Sequence, residues 1–211
     1  MTVSYALAMD TARRLVPIEH RDHVVVLRNI SWAQYEEIDR ARGQDVVKPR
    51  MYYLDGELEL MSTGRRHEID KKLLARLVEC YAEEARVSLM GMGSTTLQDA
   101  LELAGAEPDE CYCVGHDGEV PDLAIEVVQT SGGIDKLEIY RRLGVKEVWF
   151  FIDERFEIYR RWGEGYQRRT RSVAVAGIDL DAIARIVIDS IDAQQTEVVR
   201  AYRRTLKRRR R

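Results

Sequence analysis

Two carboxylates, Asp109 and Glu126, and one amine, Lys136, stand where a short hairpin and the helix after it can gather them around a metal-sized hole. Residues 109–114 read as a strand, 115–119 as a polar turn containing Asp117-Gly118, and 120–128 as the returning strand. If the hairpin folds about Asp117, residues whose numbers sum to about 235 lie opposite one another and share a face, which sets Asp109 against Glu126. Leu123, Ile125 and Val127 alternate onto the other face, the expected core side, and so fix Glu126 opposite them. Carboxylates that close repel and raise each other's pKa unless a cation lies between them. A divalent metal is the simple remedy. One or two carboxylates with water completing the shell suit Mg²⁺, and Mn²⁺ accepts the same oxygen ligands as a substitute. Lys136 falls in the first turn of a helix expected from about Ile134, just past the end of the strand.

The elements that must hold these groups follow from periodicity. His23 to Arg28 reads as a strand, and Ser31 with Gln34 forms a capping box that opens a helix to about Arg42, ended by Gly43. Arg50 to Leu54 and Glu57 to Met61 form a hairpin about Asp55-Gly56. Helical spacing of Ile69, Leu73, Leu77 and Tyr81 predicts a long helix over 65–85, with His67 and Glu68 in its first turn. Short strands are expected at 87–92 and 95–98, and a linker over 100–107. Beyond the central hairpin the helix over 134–143 ends at Gly144, and the apolar run from Val145 to Ile152 reads as a buried strand parallel to 120–128. A meander at 156–162 and 166–171 follows, then a short helix at 178–186 and a final helix over 193–211. The expected organisation is a partly ordered lead-in at 1–22, one α/β domain at 23–192, and a C-terminal helix with a basic tail at 193–211.

Composition narrows the class. With 211 residues, 45% hydrophobic and 33% charged, the chain is long enough to bury a core and reads as globular. The last twelve residues hold eight Arg or Lys and no acid, although the formal charge of the whole is −3. The body is therefore markedly acidic, a poor composition for nonspecific DNA binding, and the tail is basic. Three cysteines, Cys80, Cys111 and Cys113, do not make a secreted disulfide framework, and no second pair completes a zinc site. The absence of a signal-like leader and of a run of about 20 apolar residues leads to the expectation of a cytoplasmic protein with no membrane segment.

The order helix, strand, antiparallel hairpin, helix, parallel strand resembles the core of the PD-(D/E)XK nuclease superfamily, the restriction-endonuclease-like fold. More closely, the chain resembles the bacterial Uma-two family of restriction-endonuclease-like proteins over roughly residues 24–170. The likeness is carried by Tyr53 to Met61 (YLDGELELM), His67-Glu68, Pro108-Asp109, Pro121 to Val127 (PDLAIEV), Asp135-Lys136, Tyr140 and Gly144 to Trp149 (GVKEVW). It implies that Asp109 is the motif aspartate, Glu126 the second acid, and Glu68 the helix glutamate that completes the acidic cluster. The superfamily's lysine would stand two residues after Glu126, where this chain has Val128. In the resembling family that lysine is thought to have moved to the next helix, which points here to Lys136. Asp122 is a reserve acid on the same strand face, Gln129 a group that could position water or a phosphate oxygen, and His67 a capping or packing residue before it is a ligand. The implied activity is Mg²⁺-dependent hydrolysis of phosphodiester bonds, with DNA the expected substrate and a homodimer the expected assembly.

Plainer readings stand beside these. Asp109 could be a strand-entry residue, Glu126 a solvated strand position, Glu68 a carboxylate favourable to the helix macrodipole, and Lys136 an exposed helix lysine. The basic tail reads as a solvated end or as a positive patch for nucleic acid. Accordingly the alternative to an enzyme is a noncatalytic nucleic-acid or protein-binding module that keeps the nuclease fold.

Overall fold

The computed structural model of the protein describes residues 22–42, 48–129 and 133–209. The expected lead-in, apart from Asp22, and the helix stop at Gly43 therefore lie outside the described residues. Two sheets build the fold. The first has five antiparallel strands in the order β1-β3-β2-β6-β5, where β1 is His23–Arg28, β2 Arg50–Leu54, β3 Glu57–Ser62, β5 Leu97–Asp99 and β6 Ala104–Ala106. The β2–β3 turn forms because Asp55 and Gly56 both accept positive φ, 46° and 91°, which a two-residue hairpin loop of this hand requires. Helix α1, Trp32–Arg42, starts at its capping box: Gln34 N donates to Ser31 Oγ at 3.3 Å and Ser31 N donates to Gln34 Oε1 at 2.8 Å. Strand β6 corrects the expectation of a linker over 100–107. Its Ala-Gly-Ala sequence carries no strand signal, and it is extended because it lies between β2 and β5 with the Tyr35 ring against Gly105.

The second sheet has the order β11-β10-β9-β8-β7-β4, with β4 Leu89–Gly91, β7 Glu110–Val114, β8 Leu123–Val128, β9 Glu147–Ile152, β10 Arg155–Trp162 and β11 Gly165–Arg169. Glu110 pairs with Ile125, Cys111 with Ala124 and Tyr112 with Leu123, the register that folding about Asp117 predicts, so Asp109 lies level with Glu126. The returning strand begins at Leu123 rather than 120, because the Asp122 carboxylate accepts from Val114 N at 2.7 Å and closes a longer turn. β8 and β9 are parallel, joined through helix α3, Lys136–Arg142. α3 starts two residues later than its apolar pattern suggested, since Asp135 caps it by accepting from Glu138 N at 3.1 Å.

Both faces of β8 are covered. Leu123, Ile125 and Val127 pack with Leu73, Leu77 and Val78 of helix α2, Arg65–Ala85, and with helices α4, Leu180–Asp189, and α5, Gln195–Arg209. Ala124 and Val148 on the other face pack with Tyr52, Ile139 and Tyr140, between the sheet, α3 and the first sheet. Each fully buried aliphatic side chain contributes roughly 1.5–3 kcal/mol, and on β8 that burial holds the strand from both sides. Glu126 therefore lies inside the protein rather than on an open face. Helix α5 lies on α2, where Arg203 meets Glu83 at 2.6 Å and Glu84 at 3.1 Å, so part of the basic C-terminal charge is neutralised internally. All three cysteines are buried and free. Among the described residues no helix is long and apolar enough to cross a membrane.

Candidate active site

Glu126 has no exposed surface and is met by three side chains from two elements. From β2, Tyr52 donates its hydroxyl to Oε2 at 2.9 Å; from α3, Tyr140 donates to Oε1, and Lys136 Nζ donates to Oε2 at 3.0 Å. Lys136 and Tyr140 are four residues apart on one helix, so a single face delivers both. The Lys136 ammonium also lies 3.6 Å from the centroid of the Tyr52 ring and 4.0 Å from Glu59 Oε1. Tyr52 and Glu59 are directly opposed in the β2–β3 hairpin and reach the site together. The Glu59 carboxylate accepts from Ile134 N at 3.1 Å and thereby fixes the entry to α3.

The electrostatics follow from burial. Burial works against the Lys136 charge, but Glu126, Tyr52 and Glu59 outweigh it and hold its pKa above the ordinary lysine value. Burial, reinforced by the Glu126 charge, raises the pKa of the Tyr52 and Tyr140 hydroxyls, so both remain donors. The Glu59 carboxyl is pushed up by burial, with Lys136 and the Ile134 amide opposing.

Asp109 is likewise buried. Its Oδ2 accepts from Val127 N at 2.7 Å, which ties it to the strand that carries Glu126. Its Oδ1 lies 2.7 Å from His67 Nε2 and meets Arg50 Nη1 as an ion pair rather than as an aligned hydrogen bond. His67 is fully buried, and its Nδ1 lies 2.8 Å from Asp22 Oδ2. His67 thus links two carboxylates, Asp22 and Asp109, inside the protein. Burial pushes the Asp22 carboxyl up, but hydrogen bonds from His67 and from Gly64 N outweigh it and bring its pKa below the usual value.

The remaining residues singled out by sequence divide. Glu68 is half-exposed on the far side of Arg50: Thr63 Oγ1 donates to it at 2.7 Å, Lys71 lies 2.6 Å away, and Arg50 Nη2 is 3.5 Å from its Oε1. Gln129 lines the same cleft as Lys136, with Nε2 at 3.5 Å from Asp70 Oδ2. Asp122 does not reach the site. It lies four residues back along the chain, roughly 13 Å, where Val114 N, His116 and Lys146 occupy its carboxylate. Sequence reasoning missed Arg50, Tyr52, Glu59 and Asp22 as site residues; only the Tyr52–Glu59 pairing was accessible, through the hairpin register.

Each of the two acids meets a cation of the protein's own, Arg50 for Asp109 and Lys136 for Glu126. Among the described residues no three His, Cys, Asp or Glu side chains converge as a ready metal site. The donor chemistry nevertheless suits a hard divalent cation, because carboxylate oxygens keep further lone pairs and Asp109, one residue before β7, accepts from the amide that follows Glu126 on β8. Two clefts border the cations that meet these acids, one beside Lys136 and one beside Arg50. One of about 360 Å³ is lined by Glu59, Gln129, Lys136 and Phe150, and one of about 420 Å³ by Lys48, Arg50, Thr63, Glu68, Ser94 and Thr96.

A family model described as "Uma2: Putative restriction endonuclease" matches residues 32–187 of this chain. Among solved structures the chain is similar to one from Anabaena variabilis described as a "putative nuclease belonging to DUF820", at 11% identity and a TM-score of 0.48, covering 79% of this chain and 98% of that one. No curated protein matches.

Proposed function

We propose, for a chain that belongs to the Uma2 family, that it hydrolyses phosphodiester bonds in DNA with the help of Mg²⁺, for which Mn²⁺ substitutes. The observation that carries this reading is the Lys136 ammonium 3.0 Å from a fully buried Glu126, so that the helix lysine reaches the second acid despite Val128 at the usual lysine position. Asp109 and Glu126 are the residues that would hold the metal. Bound there, it would lower the pKa of a water and neutralise charge on the scissile phosphate. Lys136 supplies a positive charge beside Glu126 that orients the attacking water or the phosphate. Tyr52 and Tyr140 hold the Glu126 carboxylate in one orientation, and Val127 N with His67 does the same for Asp109. Glu68 completes the acidic cluster on its exposed side, and Gln129 can position water or a phosphate oxygen. A cytoplasmic homodimer, with two sites addressing two strands, belongs to the same proposal.

The test titrates Mg²⁺ and Mn²⁺ calorimetrically into wild type and the Asp109→Asn/Glu126→Gln double variant, with cleavage of mixed DNA and RNA followed in parallel. Metal binding and DNA cleavage are both expected in wild type and lost in a folded double variant. Unchanged binding or unchanged cleavage in that variant would remove the physical basis of the reading. Metal binding by wild type without cleavage of any nucleic acid would favour a noncatalytic module.

A further inference from the structure

Asp109 and Glu68, two members of the expected acidic cluster, share one cation, the guanidinium of Arg50, with Nη1 on Asp109 Oδ1 and Nη2 at 3.5 Å from Glu68 Oε1. Arg50 opens β2, and its side chain is 10% exposed, enough to border the cleft of about 420 Å³ that also exposes Lys48, Thr63, Ser94 and Thr96. The other partners of Asp109 are a backbone amide inside the sheet and a fully buried ring held from behind by Asp22. Among these partners Arg50 alone combines a long flexible stem with open space beside it. A guanidinium does not lose its proton in a protein, so it cannot make way for a second cation by deprotonating. It can only move.

We propose that Arg50 is the resident counter-cation of the Asp109 carboxylate, and that a divalent cation binds at Asp109 by displacing the guanidinium into the adjoining cleft. Arg50 thereby sets the metal affinity of the site. While it remains in place it meets the electrostatic need that would otherwise draw in a metal, and in the cleft it stands among hydroxyls beside Lys48, where a phosphodiester can partner it. The inference rests on the metal-dependent reading above and concerns loading of the site rather than the hydrolytic step.

The experiment is calorimetric titration of Mn²⁺ into the full chain as wild type, Arg50→Gln and Asp109→Asn, with folding checked by circular dichroism. Arg50→Gln is expected to bind Mn²⁺ at least tenfold more tightly than wild type, and Asp109→Asn to lose binding. Equal or weaker binding by folded Arg50→Gln overturns the proposal. Should that variant not fold, NMR of the arginine Nε–H groups in wild type decides. Added Mg²⁺ must shift the Arg50 resonance and leave that of Arg42, which is paired to Glu107 at 2.8 Å, in place. Metal binding with an unmoved Arg50 resonance also overturns it. Absence of metal binding in wild type and variant alike overturns both this proposal and the metal-dependent reading, whereas cleavage persisting in chelator would leave hydrolysis itself standing.

Discussion

Replacing Lys136 by Met tests the arrangement at its centre. The substitution leaves the Glu126 carboxylate, which has no exposed surface, with two tyrosyl hydroxyls and no cation. Removing one partner of a buried ion pair costs about 3–5 kcal/mol. The lower half of that range is less fitting here, because the lysine side chain is only 15% exposed and its loss also strips a partner from Glu59 and a cation from the Tyr52 ring. We expect a loss of about 4 kcal/mol, seen as a lower urea midpoint at unchanged slope or a drop in Tm of roughly 8–16 °C for a chain of this size. Glu126→Gln alone should cost somewhat less, since Glu59 remains 4.0 Å from the stranded ammonium. In the double variant Met fills the space of the lysine stem and a neutral amide faces the two hydroxyls, so the combined loss should fall about 2 kcal/mol or more short of the sum of the singles. Additivity within about 0.5 kcal/mol would mean that the two groups do not interact in the folded protein, and the placement of Lys136 at the acid would be wrong.

Two further outcomes follow from the same cluster. Lys136, Tyr52 and Tyr140 all hold their protons more firmly when folded than at their ordinary values of 10.5 and 10.0, so their contribution to stability is complete below about pH 10 and is lost as pH rises above it. Urea midpoints measured from about pH 8 to 11 should therefore fall more steeply for wild type than for Lys136→Met; parallel curves would contradict the assigned direction. Gly133 has φ of 116°, and a β-carbon there would collide with Glu59 Oε2, the group that anchors Ile134 N. Gly133→Ala should consequently destabilise the protein by about 2 kcal/mol or more, and an unchanged Tm would show that the 133–134 backbone does not sit against Glu59.

Much of the scaffold is legible locally. The span of α2, the box at Ser31 and Gln34, the turn at Asp55-Gly56 and the parallel return of β9 all depend on periods and turn residues within a few positions of one another. The failures are equally physical. β6 was hidden because Ala104, Gly105 and Ala106 are extended by their neighbours and not by their own propensity. The basic end of α5 looked free in sequence, whereas Glu83 and Glu84 belong to a helix more than a hundred residues earlier.

The sequence by itself determined the hairpin register and hence the level pairing of Asp109 with Glu126, because a strand's side chains alternate with period two and the turn about Asp117 sets the count. It also placed Lys136 in the first turn of the helix that follows the hairpin. Only the tertiary structure decided that β8 is covered on both sides, that Arg50 and His67 close on Asp109, and that Tyr52 from the other sheet reaches Glu126. Those contacts join elements whose mutual placement comes from packing two sheets and their helices together. Neither periodicity nor turn chemistry records which faces will meet.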